Sequence, residues 1–214
     1  MGVTLKLATS LDGRIATAAG ESRWITGEEA RARVHRLRAE HDAVVIGIET
    51  ALADDPELNV RLEGHEGAQP ARVVLDTRQR LPLGSKLAQT ARDVRTYLVA
   101  RQALSESLVD RGVLFIPDGR PGSGLPDLRF VVEALKAEGI EELLVEGGGK
   151  VAASFLKLDL VDRIEWFRAP MVLGEEGRPG VGPMALGRLA EAPRFRRTFI
   201  NPLGQDLWER YERL

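Results

Sequence analysis

Apolar residues in this chain fall in short, β-branched runs, and longer stretches with helical spacing separate them. Strands are expected at "VTLKLAT" (3–9), "DAVVIGI" (42–48), "ARVVLD" (71–76), "RTYLVA" (95–100), "GVLFIP" (112–117) and "EELLVE" (141–146). Several of these are nearly unbroken in apolarity, which is the pattern of strands buried on both faces in a parallel sheet. Between them, Thr26 and Glu29 form a T-x-x-E capping box that opens a helix from about Gly27 to Glu40, with Ala30, Val34, Leu37 and His41 inward. A second helix is expected over about 127–138, with Leu128, Val131, Val132 and Leu135 inward and Gly139 as its C-terminal stop. A third follows "LLVEGGGKVAASFL" (143–156), with Val151, Phe155, Leu156 and Leu160 inward.

Beyond residue 160 the pattern changes. "DRIEWFRAPMVLG" (162–174), "RFRRTFI" (194–200) and "DLWERYERL" (206–214) read as strands with no helices between them, and "NPLGQ" (201–205) supplies the turn of a hairpin. The fold class expected is α/β: a mixed, mostly parallel sheet flanked by helices and ending in an antiparallel C-terminal hairpin. The glycine- and proline-rich "DGRPGSGLP" (118–126) interrupts no alternation and reads as a surface loop, so residues 1–214 are expected to form a single domain.

Gly147, Gly148 and Gly149 need a reason, because glycine loses the most backbone freedom on folding. Two readings stay open on local grounds. The run could let an anion approach a helix N-terminus, or it could be a tight strand-to-helix turn. It has neither the GxxxxGK[ST] nor the GxGxxG spacing.

Composition narrows the class. The 214 residues are 43% hydrophobic and 29% charged, with a net charge of −2. This describes an ordinary globular protein with no basic surplus, so nucleic acid is not an expected partner. Without cysteines there are no disulfides, thiolate metal sites or cysteine nucleophiles. No apolar run approaches the roughly 20 residues of a membrane helix, and "MGVTLKLATS" lacks a signal-peptide pattern. A soluble cytoplasmic protein is expected. His35, His41 and His65 are scattered and make no metal-binding spacing.

Two polar segments follow strands, where open α/β sheets place their sites. They are "TSLDGRIATAAGESRWIT" (9–26) and "TALADDPELNVR" (50–61), either decorated loops or parts of a site. Arg38 flanks the first helix's apolar stripe, where it can reach a ligand or simply snorkel.

Taken together, "LKLATSLDGRIATAAGESRWIT", "ADDPELNVR" and "LLVEGGG" resemble, in order and over nearly the whole chain, the reductase domain of bacterial bifunctional riboflavin-biosynthesis deaminase-reductases. The resemblance implies a dihydrofolate-reductase-like fold. It also implies NADPH-dependent reduction of 5-amino-6-(5-phospho-D-ribosylamino)uracil to the ribitylamino product, and a homodimer. The deaminase half of that family has no counterpart here, since H-x-E and P-C-x-x-C are both missing. By the same resemblance, Ser22, Arg38, Leu58, Arg61 and Glu146 match substrate-binding positions. Ala8, Trp24, Thr50, Asp54, Thr77, Gly148, Gly149, Lys150, Val151 and Ala152 match dinucleotide-binding positions, which favours the anion reading of the glycines. Lys6 and Asp54 are the candidate proton carriers.

One departure stands out. Glu49 occupies a position where the family has a small residue, and a carboxylate beside a cofactor phosphate repels it unless paired. Asn59 in place of threonine is a milder change. Two other functions remain open: reduction of a different substrate, such as the 2,5-diaminopyrimidine phosphate, or a non-catalytic nucleotide-binding module.

Overall fold

The computed structural model describes residues 1–120 and 126–214, so the expected loop at 118–126 lies mostly outside the described residues. In chain order the elements begin with β1 (Gly2–Thr9), β2 (Arg14–Ala16), α1 (Glu28–Ala39), β3 (Ala43–Gly47), α2 (Ile48–Asp54) and β4 (Ala71–Leu75). Next come α3 (Lys86–Gln89), β5 (Thr96–Ala100), α4 (Glu106–Asp110), β6 (Leu114–Pro117), α5 (Leu128–Ala137) and β7 (Glu142–Val145). The chain ends with α6 (Gly149–Lys157), β8 (Arg163–Arg168), β9 (Arg178–Pro179), β10 (Phe195–Leu203) and β11 (Asp206–Arg213). They divide into two compact units, one of Arg36–Gly147 with Met1 and the other of Gly2–His35 with Gly148–Leu214.

The first unit holds five strands in the order β7-β3-β4-β5-β6, all parallel. β3 and β5 are buried along their whole length, as their unbroken apolarity requires of strands covered on both faces. Val45 pairs in register with Val73 on one side and Val145 on the other, and Val73 pairs with Tyr97. β6 is the edge, with only Ile116 buried. α5 buries Leu128, Val131, Val132 and Leu135 as expected, and Asp127 caps it by accepting from Arg129 N and Phe130 N. Gly139, at φ 84°, ends it.

Arg72 sits within this unit at 2% exposure. It donates to the hydroxyls of Thr96 and Thr90 and to the carbonyls of Leu87, Thr90 and Val94. Burial lowers its guanidinium to about 10, so it is charged at neutral pH and staples α3 to β4 and β5.

The second unit has strand order β10-β11-β8-β1. β1 and β8 are parallel, and β11 is antiparallel to both β8 and β10. β2 and β9 form a small antiparallel ribbon. The C-terminal hairpin turns at Gly204, as "NPLGQ" predicts. Mostly parallel strands flanked by helices, with an antiparallel C-terminal end, are the expected class.

Some details differ from expectation. α1 opens at Glu28 directly after Gly27, so Thr26 is not its cap; Asp206 accepts Gly27 N there at 2.6 Å, and Glu28 and Glu29 stand in the first turn. In α6 the buried face is Ala152, Ala153, Phe155 and Leu156, with Val151 and Leu160 only half-buried. The strand expected over 162–174 stops at Arg168.

Candidate active-site residues

In the first unit, the carboxyl ends of β3, β4 and β7 carry most of the candidates. β7 runs on into Glu146, whose N–H donates to Val45 O at 3.0 Å. Its carboxylate receives Arg38 Nε at 2.6 Å and Arg38 Nη2 at 3.0 Å, a bidentate pair with both side chains nearly buried. Arg38 Nη1 also donates to Asn59 O at 3.0 Å. Burial on its own would lower the Arg38 guanidinium, but the charge and hydrogen bonds of Glu146 leave it raised. Two residues singled out for substrate therefore bind one another, and together they fix the segment that carries Leu58 and Arg61.

That segment is held in an unusual conformation. Leu58 is 4% exposed at φ 54°, and Asp55 stands at φ 39°. A left-handed backbone at a buried leucine persists only where its surroundings over-determine it. Arg61 is exposed. Thr50 lies on α2, and Asp54 ends that helix exposed to solvent. Thr77 follows β4 half-buried. Glu49 is paired with Arg80, Nη2 to Oε1 at 2.6 Å, which answers the repulsion its carboxylate raises.

In the second unit, Lys6 of β1 and Arg210 of β11 both register with Glu165 of β8. Glu165 is fully buried and accepts from Arg210 Nε and Trp208 Nε1, each at 2.6 Å. Ala8 lies two residues beyond Lys6 and registers with Phe167. Ser22 and Trp24 are on the long loop after β2, where Trp24 is 67% exposed with the Arg31 guanidinium 4.3 Å from its ring centre.

The glycine turn has reasons of its own. A Cβ on Gly147 would meet Ile46 Cα at 2.6 Å, Gly148 has φ 76°, and a Cβ on Gly149 would clash with Pro179 O. Gly182 N donates to Gly149 O at 2.7 Å. Close approach of the chain's own backbone thus accounts for Gly147 and Gly149, and the positive φ accounts for Gly148. The N-terminus of α6 remains without a side-chain cap and without an acidic residue in its first turn, and it carries Lys150 and Val151 ahead of Ala152.

In the sequence Ser10 and Asp12 are distinguished only as members of the polar segment 9–26. Ser10 Oγ donates to Asp12 Oδ1 at 2.5 Å, and Leu173 N and Gly174 N donate to the same carboxylate at 3.1 and 2.8 Å. The serine hydroxyl, more than the two backbone N–H groups, holds the Asp12 carboxyl down at about 2. No local signal in the sequence names Leu173 and Gly174 as partners. Among the described residues no group of His, Asp and Glu could hold a metal ion. His41 Nδ1 lies 2.6 Å from Leu37 O.

The profile of the RibD C-terminal domain matches residues 2–207. The chain belongs to the RibD C-terminal domain family. It is 36% identical over 208 residues to the riboflavin biosynthesis protein RibD of Aquifex aeolicus, covering 96% of this chain and 56% of that protein. It is 37% identical over 215 residues to the 2,5-diamino-6-ribosylamino-4(3H)-pyrimidinone 5′-phosphate reductase of Methanothermobacter thermautotrophicus, covering 98% of this chain and 96% of that one. Among solved structures, Acinetobacter baumannii RibD superposes with a TM-score of 0.86 at 34% identity, over 100% of this chain and 58% of that one. This RibD C-terminal domain therefore spans just over half the length of the RibD proteins it matches, and nearly all of the archaeal reductase.

Proposed function

We propose that the chain is an NADPH-dependent reductase of a phosphorylated ribosylaminopyrimidine, with 5-amino-6-(5-phosphoribosylamino)uracil as its substrate. The observation that carries this reading is the buried Arg38–Glu146 pair, joined to Asn59 O beside Leu58 and Arg61. It is a rigid polar platform at the carboxyl end of a parallel sheet, where such folds bind ligands. In this reading Glu146 and Ser22 accept and donate to the pyrimidine or sugar, Leu58 lines the pocket, and Arg61, exposed and planar, takes the phosphate with Arg38 in support.

The residues present fit a dinucleotide. Gly148 gives α6 an N-terminus with no side chain over it, and Lys150 adds positive charge, which suits a pyrophosphate. Ala8, Trp24, Thr50, Asp54, Thr77 and the run Gly148, Gly149, Lys150, Val151 and Ala152 would hold NADPH. When bound, NADPH supplies the hydride for C1′ of the sugar. The chain's own part is to hold the two partners in line, exclude water, and deliver a proton. Of the two proton candidates, half-buried Lys6 stands in register with the buried Glu165, whereas Asp54 is exposed.

A second reading has one specific observation behind it: the archaeal reductase named for the 2,5-diaminopyrimidinone phosphate is matched over 96% of its length. NADPH oxidation with the two phosphoribosylaminopyrimidines, side by side, tests both. The uracil should turn over faster; a preference for the diaminopyrimidinone favours the second reading, and no oxidation with either sinks both.

A homodimer and a cytoplasmic location belong to the same proposal. One face of the β8–β11–β10 sheet supports the dimer. There Trp166 and Tyr211 lie 6.3 Å apart and Arg168 lies 5.3 Å from the Trp166 ring centre. Arg197 and the half-exposed Ile200 stand beside them, in register with Tyr211 and Glu209. Aromatic rings, arginines and an exposed aliphatic are the composition of interface centres.

A further inference from the structure

Glu49 stands on the first turn of α2, one residue before Thr50, and Arg80 stands on the turn after β4, three residues beyond Thr77. That turn is rigid. Asp76, 1% exposed, accepts Leu81 N at 2.8 Å, and Gln79 takes φ 54°. The Gln79 side chain donates to Gln102 O and Ala103 O and accepts Ser105 N, tying the turn to the loop that follows β5. Arg78 and Arg80 are thereby displayed to solvent on a fixed scaffold. A fixed guanidinium beside a nucleotide subsite suits a phosphate monoester, whose dianion accepts planar, charge-assisted hydrogen bonds.

Arg80 already has an anion. Its Nη2 donates to Glu49 Oε1 at 2.6 Å, with the side chains 43% and 70% exposed. Exposed pairs of this kind are weak, so a dianion brought to the same guanidinium displaces a monoanionic carboxylate at small cost.

We propose that Glu49 and Arg80 form a cofactor-selecting latch: Arg80 meets the 2′-phosphate of NADPH, and Glu49 is the anion exchanged for it. The proposal rests on the dinucleotide reading of Thr50 and Thr77. It makes the unusual glutamate a brake on NADPH affinity that leaves NADH untouched.

Direct titration of NADPH and NADH into the wild type, Glu49→Gln and Arg80→Gln tests it, with melting temperatures as a folding control. Arg80→Gln should weaken NADPH roughly three- to tenfold, and Glu49→Gln should tighten it roughly two- to fivefold. NADH should bind all three alike. An unchanged NADPH-to-NADH ratio in Arg80→Gln overturns the latch while leaving the reductase reading standing. A lower ratio in Glu49→Gln also overturns it, since the glutamate would then be supporting Arg80. A wild type that binds neither nucleotide removes the dinucleotide reading and the latch together.

Discussion

Arg38 and Glu146 are 108 residues apart in sequence and 2.6 Å apart in the structure. Removing one partner of so buried a pair leaves a charge without its counter-ion, so Glu146→Gln should lower stability by about 3 kcal/mol in urea titrations. Arg61 is exposed, so the outcome differs there. Arg61→Met should leave stability nearly unchanged and lower kcat/KM roughly tenfold to a hundredfold, the worth of a charge-assisted bond to phosphate. Equal activity on phosphorylated and dephosphorylated substrate in the wild type would remove Arg61 from that role. Asp12 gives a pH dependence. Its carboxyl titrates at about 2 rather than the usual 3.8, so the folded state binds its proton less readily than the unfolded chain does. The stability it contributes is therefore complete above about 4 and lost as pH falls toward about 2. Carbon-detected NMR titration should find this carboxyl near 2 in the wild type and near its ordinary value in Ser10→Ala, because the serine hydroxyl is the main cause. Neither the Arg38–Glu146 pair nor the bonds from Leu173 and Gly174 to Asp12 had a local signature. The sequence shows arginines and carboxylates, and only the fold decides which of them meet.

At the scale of elements, the apolar runs at 42–48, 71–76, 95–100 and 141–146 became β3, β4, β5 and β7. Burial on both faces leaves an unbroken run that is legible without context. α5 was equally plain, because Asp127 and Gly139 bracket a strong stripe. α2 was missed for a physical reason. It is seven residues long, buries only Ile48 and Ala51, and starts directly from β3 with no capping side chain. The glycine turn was recognised, but its packing was not. Gly147 and Gly149 face Ile46 and Pro179, which come from distant parts of the sequence. Gly147→Ala forces its new methyl onto the Ile46 backbone and should cost about 1–3 kcal/mol, read as a lower urea midpoint. Gly148→Val instead places a β-branched residue at φ 76° beside the α6 N-terminus. It should abolish NADPH binding while the far-ultraviolet circular dichroism is retained. Binding that survives intact would make the run a structural turn only.

For the molecule as a whole, order and class could be read from the pattern, and the family from motifs spread over nearly its full length. The division into two compact units could not, because nothing in the composition marks residues 35–36 and the glycines at 147–149 read as a turn or an anion site within one domain. NADPH should raise the melting temperature more than NADH at equal concentration, as the tighter ligand stabilises more by mass action; an equal or reversed order would sink the NADPH assignment. Ile200→Glu puts a charge at the centre of the proposed subunit contact, and sedimentation should show monomers where the wild type gives dimers. A variant that sediments like the wild type places the contact elsewhere. The hairpin itself has a further consequence. Glu165 and Glu209 are fully buried on opposite faces of the sheet, and Arg210 and Arg197, from neighbouring strands, reach them at 2.6 and 3.1 Å. Sliding β11 by one residue would send each of its side chains to the wrong face, parting Glu165 from Arg210 and Glu209 from Arg197. The hairpin thus proofreads its own register: a misaligned β11 is rejected by uncompensated charge before its backbone hydrogen bonds can hold it.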